Sequence, residues 1–390
     1  MARPALELAD IVRQHGAAYQ QQFPLTHPQR RVLRAIETCR TAALGGHVEQ
    51  CDQCHQERIS YNSCRNRHCP KCGSLARARW LHQRQGELLP VEYFHVVFTL
   101  PEAIAAVALQ NQKAVYDLLF RVSLETLLTI ARDPKHLGAE IGCFGILHTW
   151  GQNLLHHPHV HYVIPGGGIG PDHDRWISCR PGFFLPVRVL SEFFRNRFLP
   201  ALEKLHRQGE LQFSGALTPL RDPAAFARYL DPLRQSPWVV YAKPPFGGPR
   251  QVLAYLGRYT HRVAISNHRL VSLENGQVAF RWKNYRHEQR VATMTLSVNE
   301  FLHRFLLHTL PDGFQRIRFG GFFANCHRQP KLALVRQLLA TPVTELLPLP
   351  QDCAELLAHL TEAPAHQCPC CLTGRLYRVA VLPPARLDSS

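Results

Sequence analysis

The sequence predicts an α+β protein in which helices pack on a sheet, with a cysteine-rich metal-binding segment set into its N-terminal part. Three observations carry this. Runs of β-branched and aromatic residues alternate with stretches of helical period over short connections. An Asn275-Gly276 pair separates two strand-like runs, a strong signal for a two-residue hairpin. Residues 51–72, CDQCHQERISYNSCRNRHCPKC, hold five cysteines and two histidines.

Residues 1 to about 45 read as helical, with apolar positions at helical spacing in LELADIVRQHG and RRVLRAIETCRTAAL. After the cysteine segment, ARARWLHQRQGELL predicts a basic helix, and YFHVVFTLP a buried strand stopped by Pro101. One long helical stretch is expected from Glu102 to about Ala131, then strands in CFGILHTWG and HVHYVIPGGG. LSEFFRNRFLPALEKLHRQG has helical period, SPWVVYAKPPFGG contains a strand, and PRQVLAYLGRYTHRVAI starts as a helix. RLVSLENGQVAFRWKN is the hairpin and VNEFLHRFLLHTL a helix, and leucine-rich helical pieces then lead to a terminal HQCPCC element. The expected organisation is 1–90 helical and zinc-binding, 91–268 a catalytic α+β domain, 269–335 a hairpin and helix extension, and 336–390 a helical tail.

The chain has 390 residues, 45% of them hydrophobic, enough for two or three domains with cores of their own. No apolar run could span a bilayer, and MARPALELADIVRQHG lacks the apolar core of a signal peptide, so a cytoplasmic location is expected. Lys and Arg total 45 against 29 acidic residues, a formal charge of +16. Arginine forks match phosphate geometry and a positive field draws in polyanions, so nucleic acid is the expected partner.

Cys51-x-x-Cys54 and Cys69-x-x-Cys72 each offer two thiolates from a tight turn, and together they make up the tetrahedral sulfur shell of structural zinc. With 13 cysteines in 390 residues, chance alone supplies roughly 0.4 such motifs, so two in one short segment favour a metal site over disulfides or buried thiols. Cys64 and His68 lie between the turns, and Cys39 and His47 just before them, so a swapped ligand or a second ion stays open. His366, Cys368, Cys370 and Cys371 look like half a zinc ribbon that needs partners from elsewhere, or else an exposed tail.

His157, His159 and His161 alternate, and on a strand alternate side chains share a face where a pair could hold a divalent cation; a polar surface strand gives the same pattern. Tyr255 and Tyr259, four apart, would project from one face of a helix. A phenol can attack a phosphate when a cation offsets the charge that develops, although such a pair more often serves packing.

HPHVHYVIPGGG followed by AYLGRYTHRVAISNHRL, with YNSCRNRHCPKCGSLARARW and YFHVVFTLPE before them, resembles the rolling-circle insertion-sequence transposases of the IS91 family, members of the HUH endonuclease superfamily. The resemblance spans about residues 30–330. It implies a ferredoxin-like nuclease domain whose His-hydrophobic-His motif, here His159, Val160 and His161, holds Mg²⁺ or Mn²⁺. It also implies that Tyr255 or Tyr259 attacks single-stranded DNA to leave a 5′-phosphotyrosine and a free 3′-hydroxyl. For the third ligand Gln152 is preferred to His148, with His157 a poorer candidate. Lys243, Arg258 and Arg262 would clamp phosphates or serve as surface charge. The zinc segment, with Arg65 and Arg67, would read DNA at the element ends. Expected partners are single-stranded end DNA and target DNA, with no membrane and with room for a homodimer, in the bacterial cytoplasm and on the nucleoid when bound. A rolling-circle replication initiator shares this chemistry, and a non-catalytic zinc-dependent DNA-binding regulator is the reading from a different class.

Overall fold

The computed structural model describes residues 4–246, 251–252, 263–284, 290–342, 348–350, 355–356, 358 and 366–385. In chain order, helices α1 (Leu8–Gln22) and α2 (His27–Thr38) lead into strands β1 (Gly46–Cys51) and β2 (Glu57–Tyr61), then α3 (Ser74–Gln85), β3 (Tyr93–Thr99), α4 (Glu102–Gln110) and α5 (Gln112–Arg132). There follow β4 (Gly142–Trp150), β5 (His156–Pro165), β6 (Gly167–Ile169), β7 (Trp176–Ser178), α6 (Val187–Arg207), α7 (Pro223–Gln235) and β8 (Val240–Phe246). The rest comprises β9 (Leu270–Glu274), β10 (Gln277–Asn284), β11 (Arg290–Ser297), α8 (Val298–Leu306), β12 (Ile317–Gly321), α9 (Arg328–Leu338) and β13 (Leu376–Leu382). The fold is α+β. No helix among the described residues is long and apolar enough to cross a membrane.

A five-stranded antiparallel sheet of order β12-β4-β5-β3-β8 organises the molecule. Its inner strands carry apolar runs where they are covered, on the whole of one face and on part of the other. One face, carrying Val96, Phe98, Leu147, Val160, Tyr162 and Ile164, lies in a core with α4, α5, α6 and α7. Phe98 is fully buried there, edge-on to Tyr162 and Phe194 at ring-centroid distances of 5.9 and 5.0 Å. The other face carries Tyr93, Phe144, Ile146 and Val163, against which Trp80 and Leu81 of α3 and Val252 pack. The part of that face left by this smaller cluster is where the histidines of β4 and β5 emerge.

Sequence and structure differ at three places in this frame. The helix expected from Glu102 to Ala131 is two helices, because Asn111 turns out of helical geometry at φ −127°. Its amide is held by the Val107 carbonyl at 3.0 Å and by the backbone of Gln212 at 2.7 and 2.8 Å, a local competition with the helix that asparagine can win. The division at residue 268 does not follow the sheet, since β12, from the expected extension, is its edge strand beside β4. Likewise Leu8, Ile11, Val32 and Ile36 of the first helices share one core with Val278, Phe280, Phe301 and Phe305 of the hairpin region. Finally, where a helical tail with a cysteine element was expected, residues 366–385 include no helix and β13 pairs antiparallel with β1.

The hairpin forms as its turn requires, with Asn275 at φ 49° and Gly276 at φ 70°, both in the left-handed region that a tight β9-β10 connection demands. Thr26 and Gln29 make a reciprocal capping box on α2, and Ser297 caps α8 by accepting from the Glu300 amide.

Candidate functional site

The register of the central sheet assembles the histidine site. His148 of β4 lies directly across from His159 of β5, and Ile146 across from His161. Directly opposed residues share a face, so His148, His159 and His161 project together. One ring nitrogen from each lies within 4.8 Å of the others. The ring centroids stand 4.6 Å apart for His148 and His161, 4.7 Å for His159 and His161, and 5.6 Å for His148 and His159. His148 and His161 are buried and His159 half-buried, so the cluster opens to solvent on one side.

Two contacts orient the rings. His159 Nδ1 is 2.6 Å from the His157 carbonyl oxygen, which can only accept, so Nδ1 carries the proton and Nε2 keeps its lone pair. His161 Nδ1 is 2.8 Å from Nε2 of His95, a buried residue of β3 whose ring lies nearly parallel to it at 8°. When Nδ1 donates there, His161 presents Nε2 to the cluster; orienting contacts of this kind set metal-ligand imidazoles. Burial, then the charge of Lys243 opposite on β8, holds His95 down to about 3, so it stays neutral. Trp150 stacks on His148 at 4.8 Å.

The third member of the cluster is His148, the alternative to Gln152 in the expected ligand set. β4 ends at Trp150 after a register shift between His148 and Trp150, and Gln152 falls in the turn beyond it, its carbonyl accepting from Arg269. The structure thus brings His148 to the histidine pair and places Gln152 beyond the end of the strand. His157 is exposed and supplies its carbonyl rather than its ring. His95 was not foreseen, although a polar residue inside the apolar run YFHVVFT is itself a signal. Tyr255, Tyr259, Arg258 and Arg262 lie outside the described residues. Lys243 is exposed on β8.

The cysteines sort into two sets of four, neither of them the predicted one. Cys69 and Cys72 meet Cys39, at the end of α2, and Cys64. Cys51 and Cys54 instead meet Cys368 and Cys371. The predicted grouping of Cys51, Cys54, Cys69 and Cys72 fails because the β1-β2 hairpin carries the first pair away from the second. In the first set, Sγ of Cys72 lies 3.5 Å from that of Cys39 and 3.6 Å from that of Cys64. Tetrahedral zinc with Zn–S bonds of about 2.3 Å places sulfurs about 3.8 Å apart, so this shell fits the ion closely. Contacts among the four thiols lower Cys39 and Cys72 and raise Cys64 and Cys69, so the set shares its protons as a group. His68, expected as an alternative ligand, stays outside this set; burial, then the charges of Arg67 and Arg316, lowers it to about 3.

Arg67, expected on DNA, donates to the carbonyls of Phe314 and Pro311 at 2.7 and 3.2 Å and so ties the zinc segment to the body. Arg65 is exposed. Arg77 and Arg79 are exposed on α3, the helix that packs over the histidine-bearing face of the sheet.

Comparison with known proteins accords with this geometry. A family model described as "Putative transposase" matches residues 142–330, and one described as "Transposase zinc-binding domain" matches residues 11–100. The chain is 58% identical over its whole length, and over the whole of the relative, to "Putative transposase y4qJ" of Sinorhizobium fredii (strain NBRC 101917 / NGR234). It is 28% identical to the "Transposase for insertion sequence element IS801" of Pseudomonas savastanoi pv. phaseolicola, over 74% of this chain and 68% of that one. No solved structure matches it. With a transposase zinc-binding domain matched near its start, a transposase model matched beyond it and a 58% identical relative along its full length, the chain belongs to the IS91 family of transposases.

Proposed function

We propose that this transposase cuts and rejoins single-stranded DNA at the ends of an insertion sequence, using His148, His159 and His161 as a cation-binding triad and Tyr255 and Tyr259 as nucleophiles. The observation that carries the reading is the triad on the open face of the central sheet. Val252, three positions before Tyr255, is buried in the cluster of Ile146 and Val163 on that same face.

A bound divalent cation would polarise the scissile phosphate and offset the charge that develops there. The chain's own groups do the rest. A tyrosine hydroxyl attacks phosphorus, the Tyr O–P bond forms as the P–O3′ bond breaks, and the phenolic proton ends on the departing 3′-hydroxyl. The phosphotyrosine conserves the energy of the broken bond, so a second 3′-hydroxyl can reverse the step and rejoin strands without ATP. Two tyrosines allow two such transfers. Lys243, Arg77 and Arg79 would track the backbone over this face, and an exposed Arg65 would add a phosphate contact from the zinc segment.

Three imidazoles alter the expected choice between Mg²⁺ and Mn²⁺. Nitrogen donors suit Mn²⁺ better than the harder Mg²⁺, and Zn²⁺ better still. We therefore assign Mn²⁺ as the preferred activator and excess Zn²⁺ as a competitor. The test incubates the protein with labelled single-stranded oligonucleotides from the element ends and Mn²⁺, alongside His159→Ala and His161→Ala. Metal-dependent nicking lost in both variants is expected; tight binding with no cleavage under any cation would leave a DNA-binding regulator instead.

A further inference from the structure

We propose that Cys51, Cys54, Cys368 and Cys371 bind a second zinc ion, which clasps the last strand of the chain to its first sheet. The two halves of this site are 314 and 320 residues apart in sequence, between Cys54 and Cys368 and between Cys51 and Cys371. The stretch matched by the transposase zinc-binding domain ends at residue 100 and the other match ends at 330, so neither contains the full shell.

The sulfur geometry is that of a metal shell. Sγ of Cys51 is 3.7 Å from that of Cys371, and Sγ of Cys54 is 3.7 Å from that of Cys368, with all four within 4.8 Å of one another. Zinc requires about 3.8 Å between sulfurs. A disulfide requires about 2.05 Å. The two C-x-x-C turns are built alike. In each, the amide two residues after the first cysteine points at its sulfur, Gln53 to Cys51 and Cys370 to Cys368, both at 3.4 Å. A third amide, that of Gly374, reaches Cys371 Sγ at 3.2 Å. Amides aimed at sulfur favour the thiolate, the form that binds metal.

The surroundings are fitted to this shell and cannot hold it unaided. A Cβ at Gly374 would enter the van der Waals shell of Cys51 Sγ and come within 2.8 Å of Asp52 Oδ1, so only glycine fits there. Asp52 Oδ1 accepts from the Arg375 amide at 2.8 Å, and β13 pairs with β1 from Leu376–Cys51 to Leu382–Gly46. Yet among the described residues the core of this module is Cys51, Cys368 and Leu376, with Cys371 packed alongside. β13 is otherwise exposed, including Tyr377, Val379 and Val381. A sheet with so small a core needs a staple, and four thiolates on zinc supply one.

The experiment measures bound metal in the purified full-length protein, together with the sulfur-to-cobalt charge-transfer band after cobalt exchange, which histidine sites do not give. Wild type should carry two thiolate-bound ions per chain. Cys368→Ser/Cys371→Ser should lose one and half the band; Cys39→Ser/Cys72→Ser should lose the other. Retention of the Cys39 ion in the first variant reports that it has folded. Hydrogen exchange of residues 46–51 and 376–382 should rise in that variant, and Gly374→Val should reproduce both effects with every cysteine intact. Two ions retained in Cys368→Ser/Cys371→Ser, or one or none in wild type, would overturn the proposal. Strand cleavage is scored separately, so the clasp and the nuclease reading fail independently.

Discussion

Replacing His95 with leucine removes the buried contact to Nδ1 of the His161 ring while leaving all three proposed cation ligands in place. The contact lies between two buried side chains, 2% and 8% exposed, where water can hardly substitute for the lost acceptor. Without it the His161 Nδ1–H must find another partner or turn the ring, and Nε2 no longer points at the cluster by default. Losing an orienting partner of a metal-bound histidine lowers affinity by about 10- to 100-fold, equivalent to about 1.4–2.7 kcal/mol. Calorimetric titration of Mn²⁺ into His95→Leu and wild type, with the thiolate sites kept loaded, measures this directly. The loss should appear in the Mn²⁺ dissociation constant, with cleavage largely restored at saturating Mn²⁺. His95→Gln, whose carboxamide oxygen can still accept, should recover part of the affinity. An unchanged Mn²⁺ constant in His95→Leu would refute the orienting role, and a variant equally impaired at saturating metal would point to a wider loss of structure.

Three further outcomes follow from the same geometry. Phe98→Ala empties a fully buried position between the sheet and α6 and should cost about 3–5 kcal/mol in denaturant unfolding; a cost below about 1 kcal/mol would mean that this face is not packed as described. Burial lowers His308 to about 3 while Thr149 and the Leu154 carbonyl satisfy its neutral ring. Its folded pKa lies below its unfolded one, so its contribution is full above about pH 6.5 and is lost as pH falls toward 3, about 2 kcal/mol between pH 6.5 and 5. His308→Gln should flatten the stability profile by that amount over that window, and an identical slope would contradict it. Nicking should be faster with Mn²⁺ than with Mg²⁺ at equal concentration and inhibited by added Zn²⁺; a Mg²⁺ preference would return an oxygen ligand such as Gln152 to the site.

The elements were legible wherever one pattern dominated. The apolar runs of β3 and β5, the Asn275-Gly276 turn and the capped α2 each carry their own signal. The histidine pair was legible too, since period-two alternation puts His159 and His161 on one face whatever the neighbouring strand does. Their partner was less so. Placing His148 and Gln152 relative to the pair requires the point at which β4 ends, and a one-step register shift at its last residues is not encoded in local spacing. The cysteine pairing was illegible for a different reason: spacing identifies C-x-x-C turns but not which turns meet. Only the β1-β13 pairing brings residues 51 and 371 together, and no local pattern encodes a contact across so much chain.

The measurement closest to the central claim is covalent capture. The protein, Mn²⁺ and a 5′-labelled or 3′-labelled single-stranded end oligonucleotide are mixed, resolved on a denaturing gel, and any adduct is digested and mapped by mass spectrometry. Only the 3′-labelled DNA should stay attached, through a 5′-phosphotyrosine at Tyr255 or Tyr259, with no adduct in Tyr255→Phe/Tyr259→Phe or without metal. An adduct at any other residue, or nicking that persists in the double variant, would contradict it.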